Sequence, residues 1–251
     1  NDFSLYDLVM DHSLLFGAVP ARYTGLGLTP LETYFAMGRG LQRPAADGKP
    51  AVDVGSMEMV KWFDSNYHIF RPEIGPETQF TVSSEPGACK PVDEFLEAKA
   101  LGIATRPVLL GPVTFLRQAK ASAAGGPAPL EALPRLLDAY AGLLARLADA
   151  GADWVQMDEP VLVLDLSAAE REAFRTAYAR LASGPCRLLV ASYFGGLEDN
   201  WPLALELPVA GLHVDLVAAP GQLDAERLAA LAADGDRRVL SLGLVSGRNV
   251  W

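Results

Sequence analysis

From about residue 90 onward the chain alternates between short apolar runs of strand length and longer segments with a helical period, and this alternation limits the fold more than any other feature. "PVDEFLEAKALG" reads as a helix stopped by Gly102, and "RPVLLG" as a strand closed by Gly111 and Pro112. In "PLEALPRLLDAYAGLLARLADAG", Leu130, Leu133, Leu136, Leu137, Tyr140, Leu143, Leu144 and Leu147 recur at spacings of three and one. That spacing makes one apolar helix face, with Gly151 as its stop. "DWVQM" is the next strand, ended by Asp158, Glu159 and Pro160. Ser167 with Glu170 three residues on forms a capping box ahead of a helix. "RLLVASYFG", "LHVDLV" and "RRVLSLGLV" continue as strands, with "WPLALELPVAG" and "QLDAERLAALAADG" as helices between them. Strands separated by helices in this order predict a parallel α/β sheet. With "NYHIFRPEI" added as an earlier strand, the pattern gives about six strands.

A doubly wound sheet would place a glycine-rich phosphate loop after its first strand. "GAVPARYTGLGLTP" has the glycines but no preceding strand of β-branched residues. A (β/α)8 TIM-type barrel fits better, because polar residues follow several strands directly: Asp158 and Glu159, Tyr193, Asp215, and Arg248 with Asn249. Barrel enzymes hold their chemistry at that end. Eight strands close a barrel and six are counted, so either two are missed or the chain is a piece of a barrel; its end on "GRNVW", directly after a strand with no covering helix, makes an incomplete barrel the expectation. One domain, residues 1–251, is expected, with residues 1–56 as a helical elaboration and 57–251 as the β/α repeats. Within the elaboration, "FSLYDLVMDHSLLFG" and "LETYFAMGRG" read as helices and "LQRPAADGKPAVDVG" as a loop.

Composition removes several function classes. The formal net charge is -10 with 21% charged residues, and no basic tract is present, so no nucleic-acid partner is expected. No apolar run approaches the roughly 18 residues of a membrane helix, so no membrane partner is expected. Cys89 and Cys186 stand far apart with no Cys-x-x-Cys or His-x-Cys pair, so no metal is expected on this chain and a reducing cytoplasm is the expected location.

Four places hold candidate chemistry. "EMVKWFDSNYHIFRPEI" gathers Lys61, Trp62, Phe63, Asp64, Asn66, Tyr67, His68 and Arg71. Lys61 either lies along its aromatic neighbours at the surface or presents an ammonium, a compact triple donor, to an anion. Asp158 and Glu159 are either a general acid/base pair or a structural motif whose carboxylate is met by a partner such as Arg248. His213 and Asp215 alternate along one strand and share a face. They either bind metal and move protons, or satisfy each other as a buried couple. His68 either contacts a ligand or packs.

Taken together and in order, "FSLYD", "MEMVKWFDSNYHIFRPEI", "RPVLLGPVTFL", "WVQMDEPVLVLDL", "YFGG", "GLHVDLV" and "LSLGLVSGRNVW" resemble the N-terminal half of cobalamin-independent methionine synthase. The resemblance spans essentially the whole chain. It implies a methyltransferase of two (β/α)8 barrels that moves a methyl group from 5-methyltetrahydropteroyl-polyglutamate to homocysteine. It implies zinc in the full enzyme, held by the C-terminal catalytic barrel, and no catalytic residue or zinc ligand in this half. It implies that Lys61 contacts the folate substrate and that this half docks the catalytic barrel. The family's first strand and its Arg-Glu-Leu-Lys folate motif are not in this sequence, nor are the strand and helix that close its N-terminal barrel, so the resemblance implies a barrel lacking its first and last β/α units. The "DEP" motif at Asp158, with a counterpart in the catalytic barrel, is expected to be structural here. Two other readings stand beside this one: a non-catalytic anion- or partner-binding barrel module, and an independent barrel enzyme using Asp158, Glu159 and His213.

Overall fold

The alternating segments form one five-stranded parallel sheet. Its strands are β1 (Val108–Leu110), β2 (Trp154–Asp158), β3 (Arg187–Ala191), β4 (Gly211–Asp215) and β5 (Val239–Gly243), in the order β5-β4-β3-β2-β1. The computed structural model describes residues 4–46, 51–83, 89–233 and 238–247. Among these are the helices α1 (Leu8–Leu15), α2 (Pro30–Arg39), α3 (Lys90–Ala100), α4 (Pro112–Gln118), α5 (Leu133–Ala150), α6 (Ala168–Leu181), α7 (Trp201–Glu206) and α8 (Ala225–Ala233). The chain divides into two compact units, one of residues 90–114 and 140–251, the other of residues 2–89 and 115–139.

The first unit holds the sheet. Leu110 sits opposite Asp158, Asp158 opposite Ala191, and His213 opposite Ser241. Alternation along the strands separates two faces. Val155, Met157, Val190 and Val214 have no exposed surface, and Leu188 and Leu212 almost none. On the other face Trp154, Gln156, His213 and Asp215 are half-buried. The leucine stripe of α5 is realised, with Leu136, Leu143 and Leu147 fully buried. Each such side chain contributes about 2 kcal/mol of burial. α6 carries the expected capping box: the Glu170 N–H donates to Ser167 Oγ at 3.2 Å and the Ser167 N–H to Glu170 Oε2 at 2.8 Å.

The second unit is built on α1 and α2. Met10, Tyr23, Tyr34, Met37, Met57 and Phe70 form its buried cluster. Thr29 and Glu32 cap α2 reciprocally. Asp7 caps α1 by accepting the Met10 N–H at 2.7 Å, and its other oxygen accepts the Phe70 N–H at 3.0 Å. One buried carboxylate thus ties the helix start to a strand 63 residues later.

Two expectations are corrected here. "NYHIFRPEI" adds no strand to the large sheet. His68–Phe70 pairs antiparallel with Met59–Lys61, and Glu73–Ile74 pairs in parallel with Lys120–Ala121. The polar run Asp64-Ser65-Asn66 permits the reversal. There the Ser65 N–H and hydroxyl both donate to the Trp62 carbonyl, and Phe63 takes a left-handed φ of 50°. Secondly, the segment read as a plain loop after α2 holds an antiparallel pair, Leu41–Arg43 with Val52–Val54. The β-branched Val52 and Val54 favour it.

Candidate functional site

The carboxyl end of β2 carries Asp158 and Glu159, whose side chains go to different surroundings. Asp158 accepts from Gln156 Nε2 at 2.7 Å and from the Tyr193 hydroxyl at 3.1 Å. Arg106 donates to Gln156 Oε1 at 2.7 Å, completing a line Arg106–Gln156–Asp158–Tyr193 along the half-buried face. Burial pushes the Asp158 carboxyl up to about 6, against the lowering effect of its two donors. The Tyr193 phenol rises well above its ordinary value, first through burial and then through Asp158. The partner expected for this carboxylate, Arg248, lies outside the described residues.

Glu159 has no exposed surface. Its oxygens accept from the Thr114 N–H at 2.8 Å, the Val113 N–H at 3.2 Å and the Tyr178 hydroxyl at 2.9 Å. Burial raises this carboxyl to about 7. The group binds the first turn of α4 to α6, and Gly111 makes room for it, since a Cβ there would fall 2.1 Å from Glu159 Cδ. An acid/base pair working on a bound molecule needs both groups within reach of it, and this one is enclosed.

His213 and Asp215 sit on one face of β4, as alternation predicts, but they are not a hydrogen-bonded couple. His213 Nδ1 lies 2.9 Å from Ser241 Oγ across the β4–β5 register. Asp215 accepts the Phe194, Val217 and Ala218 N–H groups, holding the loops after β3 and β4. Burial lowers the His213 imidazole below its usual value, with Asp215 acting in the opposite direction. No group of three His, Cys, Asp or Glu side chains suited to a metal occurs among the described residues.

Lys61 belongs to the second unit. It ends the first strand of the Met59–Phe70 hairpin and is exposed. Its register partner, His68, is also exposed. At the hairpin's base, Lys120 Nζ binds Glu58 at 2.9 Å and lies 3.6 Å from Glu73, which also receives the Arg22 guanidinium at both oxygens. Arg71 donates to the Gln118 and Ala119 carbonyls and approaches Glu58 at 3.9 Å. Sequence reasoning had found Lys61, Asp158, Glu159, His213 and Asp215, but not the partners Thr114, Tyr178, Gln156 and Ser241. Strand register discloses Ser241 and the two-residue period of β2 discloses Gln156; Thr114 and Tyr178 stand on α4 and α6, whose approach to Glu159 no spacing encodes.

All 251 residues match the family model described as "Cobalamin-independent synthase, N-terminal domain". The chain belongs to the cobalamin-independent methionine synthase family. A relative from Mesorhizobium japonicum, named 5-methyltetrahydropteroyltriglutamate–homocysteine methyltransferase, is 56% identical over 262 residues, covering 100% of this chain and 33% of its own. A Saccharomyces cerevisiae protein of the same name is 52% identical over 254 residues, covering 100% and 32%. The chain therefore spans about a third of the length of the curated relatives it matches. Among solved structures, a B12-independent methionine synthase from a Shewanella species, in complex with selenomethionine, superposes with a TM-score of 0.53. It shares 14% identity and covers 74% of this chain and 55% of that one. At that identity the likeness is one of fold.

Proposed function

We propose that this chain is the N-terminal barrel portion of a zinc-dependent, cobalamin-independent methionine synthase. The whole enzyme would move a methyl group from 5-methyltetrahydropteroyl-polyglutamate to homocysteine. This portion would bind the folate's glutamate tail through Lys61 and dock the catalytic barrel, in the cytoplasm. The observation that carries the reading is the family match over residues 1–251, joined by two relatives of that activity more than half identical over the full chain.

Among the described residues no group of three His, Cys, Asp or Glu side chains could hold a zinc ion. Zinc belongs, in this reading, to the catalytic barrel, where it would keep homocysteine as a nucleophilic thiolate. Among the described residues no helix is long and apolar enough to cross a membrane. What this chain's own residues do is bind and orient. A glutamate tail is a row of carboxylates, and the exposed ammonium of Lys61 can give three hydrogen bonds to such a row. Asp158, Glu159, His213 and Asp215 hold strand ends and loops in place.

The test is titration of the chain with a triglutamylated folate, native against Lys61→Ala. A charge-assisted hydrogen bond lost at an exposed site predicts about tenfold weaker binding. Equal affinities would remove Lys61 from the site. Methionine formation by this chain alone, given zinc and both substrates, would overturn its assignment as a non-catalytic half.

A further inference from the structure

Lys61 does not stand alone on its face of the hairpin. The ladder pairs Met59 with Phe70, Val60 with Ile69 and Lys61 with His68. It is bracketed by backbone bonds from the Arg71 N–H to the Glu58 carbonyl and from the Trp62 N–H to the Tyr67 carbonyl, each 2.8 Å. Bonded and non-bonded pairs alternate in an antiparallel ladder, so 58/71, 60/69 and 62/67 are bonded pairs and 61/68 is non-bonded. Directly opposite side chains share a face, with Cβ atoms about 5 Å apart and closest at non-bonded positions. The Lys61 ammonium and the His68 imidazole therefore rise from adjacent points of one exposed surface. Among the described residues, no ion pair or hydrogen bond engages either side chain.

We infer that His68 is the second donor of the anion site, gripping a neighbouring carboxylate of the same glutamate tail that Lys61 receives. This rests on the reading of Lys61 given above.

The surrounding charges leave that face open to an anion. On α1, which packs on the His68–Phe70 strand, Asp7 is committed to the Met10 and Phe70 N–H groups. Asp11 there accepts the Ser4 hydroxyl at 2.8 Å, and His12 lies buried with Nδ1 2.8 Å from the Leu8 carbonyl. Glu58, at the hairpin's base, is neutralised by Lys120 and Arg71. Asp64, exposed in the connecting turn, is the remaining carboxylate of the hairpin. The choice of histidine also has a physical reason. An imidazole presents a ring N–H that a carboxylate oxygen can accept, and its short, flat side chain keeps that donor near the strand while the longer Lys61 reaches further out. A γ-linked triglutamate sets α-carboxylates in a row, so successive residues can meet the two donors, whereas a monoglutamate has only the α- and γ-carboxylates of one residue to divide between them.

The test compares native chain, Lys61→Ala, His68→Ala, His68→Gln and the double alanine variant. Each is titrated with pteroyltriglutamate and with its monoglutamate counterpart. His68→Ala is expected to weaken triglutamate binding about fivefold and monoglutamate binding less than about twofold, as for loss of one exposed donor. His68→Gln, which keeps an N–H donor, should return triglutamate affinity to within about twofold of native. If Lys61→Ala weakens binding and His68→Ala does not, the role of His68 is overturned and that of Lys61 stands. If neither has an effect, or the native chain binds neither probe, both fall. An equal loss for both probes, or glutamine failing to restore what alanine removes, also overturns the second-donor assignment.

Discussion

Replacing Glu159 with glutamine should reverse the sign of its effect on stability between pH 5 and pH 8. The carboxyl is fully enclosed, and burial moves it from 4.5 to about 7. Below about pH 4.5 the folded and unfolded chains both hold its proton. Between 4.5 and about 7 only the folded chain does, and above about 7 both are ionised. The folded state binds the proton more tightly, so stability falls as pH rises through this window. At about 1.4 kcal/mol per pH decade, the ionised group costs about 3 kcal/mol above pH 7. Glutamine escapes that cost but loses a bond. Its oxygen can keep the Thr114 N–H, and the Tyr178 hydroxyl can turn to accept from the new amide. The Val113 N–H then faces a donor, which costs about 1–2 kcal/mol. The variant should be less stable than native by about 1–2 kcal/mol below about pH 4, less stable by up to about 1 kcal/mol at pH 5, and more stable by about 1–2 kcal/mol at pH 8. Denaturant unfolding at four pH values, followed by tryptophan fluorescence, measures this. Asp7 and Asp158, also raised to about 6 by burial, titrate alike in both proteins and cancel in the difference. Parallel curves for the two proteins would refute the reasoning, because they would mean Glu159 does not change its protonation on unfolding.

Gly111→Ala should destabilise by about 3 kcal/mol or more, because its Cβ would meet Glu159 Cδ, enclosed and held by three hydrogen bonds; a melting temperature within a degree of native would contradict this. Thr29→Ala removes the capping box of α2 and should cost about 1 kcal/mol, read by thermal unfolding, while Thr29→Ser should cost little. Raising NaCl from about 0.05 to 0.5 M should weaken triglutamate binding by the native chain and bring it toward Lys61→Ala, since exposed charge pairs are screened. Salt-independent binding would point to a contact that is not ionic.

The sequence disclosed those elements whose signal is local and long. The α5 stripe repeats over four turns and was legible, although its reading from Pro129 includes a 3-10 turn that precedes Leu133, and the Ser167–Glu170 box marks the start of α6 to the residue. The hairpin was not. Its strands are three residues each, too short for alternation to show, and the direction of pairing depends on the reversal at Asp64–Asn66. Asp158 was legible as a strand-end polar residue, but its partners were not. Gln156 lies two residues back on the same strand and Tyr193 follows the neighbouring strand, so sheet order as well as spacing brings them to Asp158. His213 and Asp215 illustrate the same limit: period two placed them on one face, yet 21- and 28-residue separations, read only from sheet order, decided what each touches.

The acidity of the chain and a site for an anionic tail are compatible because charge acts locally. At an ionic strength of about 0.1 M, exposed charges more than about 10 Å apart scarcely interact. The net charge of -10 is therefore less relevant to Lys61 than the fate of the carboxylates beside it. Those of the hairpin's base are consumed in a network: Glu58 by Lys120 and Arg71, Glu73 by Arg22 and Lys120. Asp7 is buried and spends both oxygens on backbone N–H groups. Three cations thus hold two carboxylates at the base, and the ladder carries Lys61 and His68 beyond them. A glutamate tail arriving there finds the carboxylates of the base already paired, with Asp64 of the connecting turn the one acid of the hairpin left to oppose it, whatever the chain's total charge.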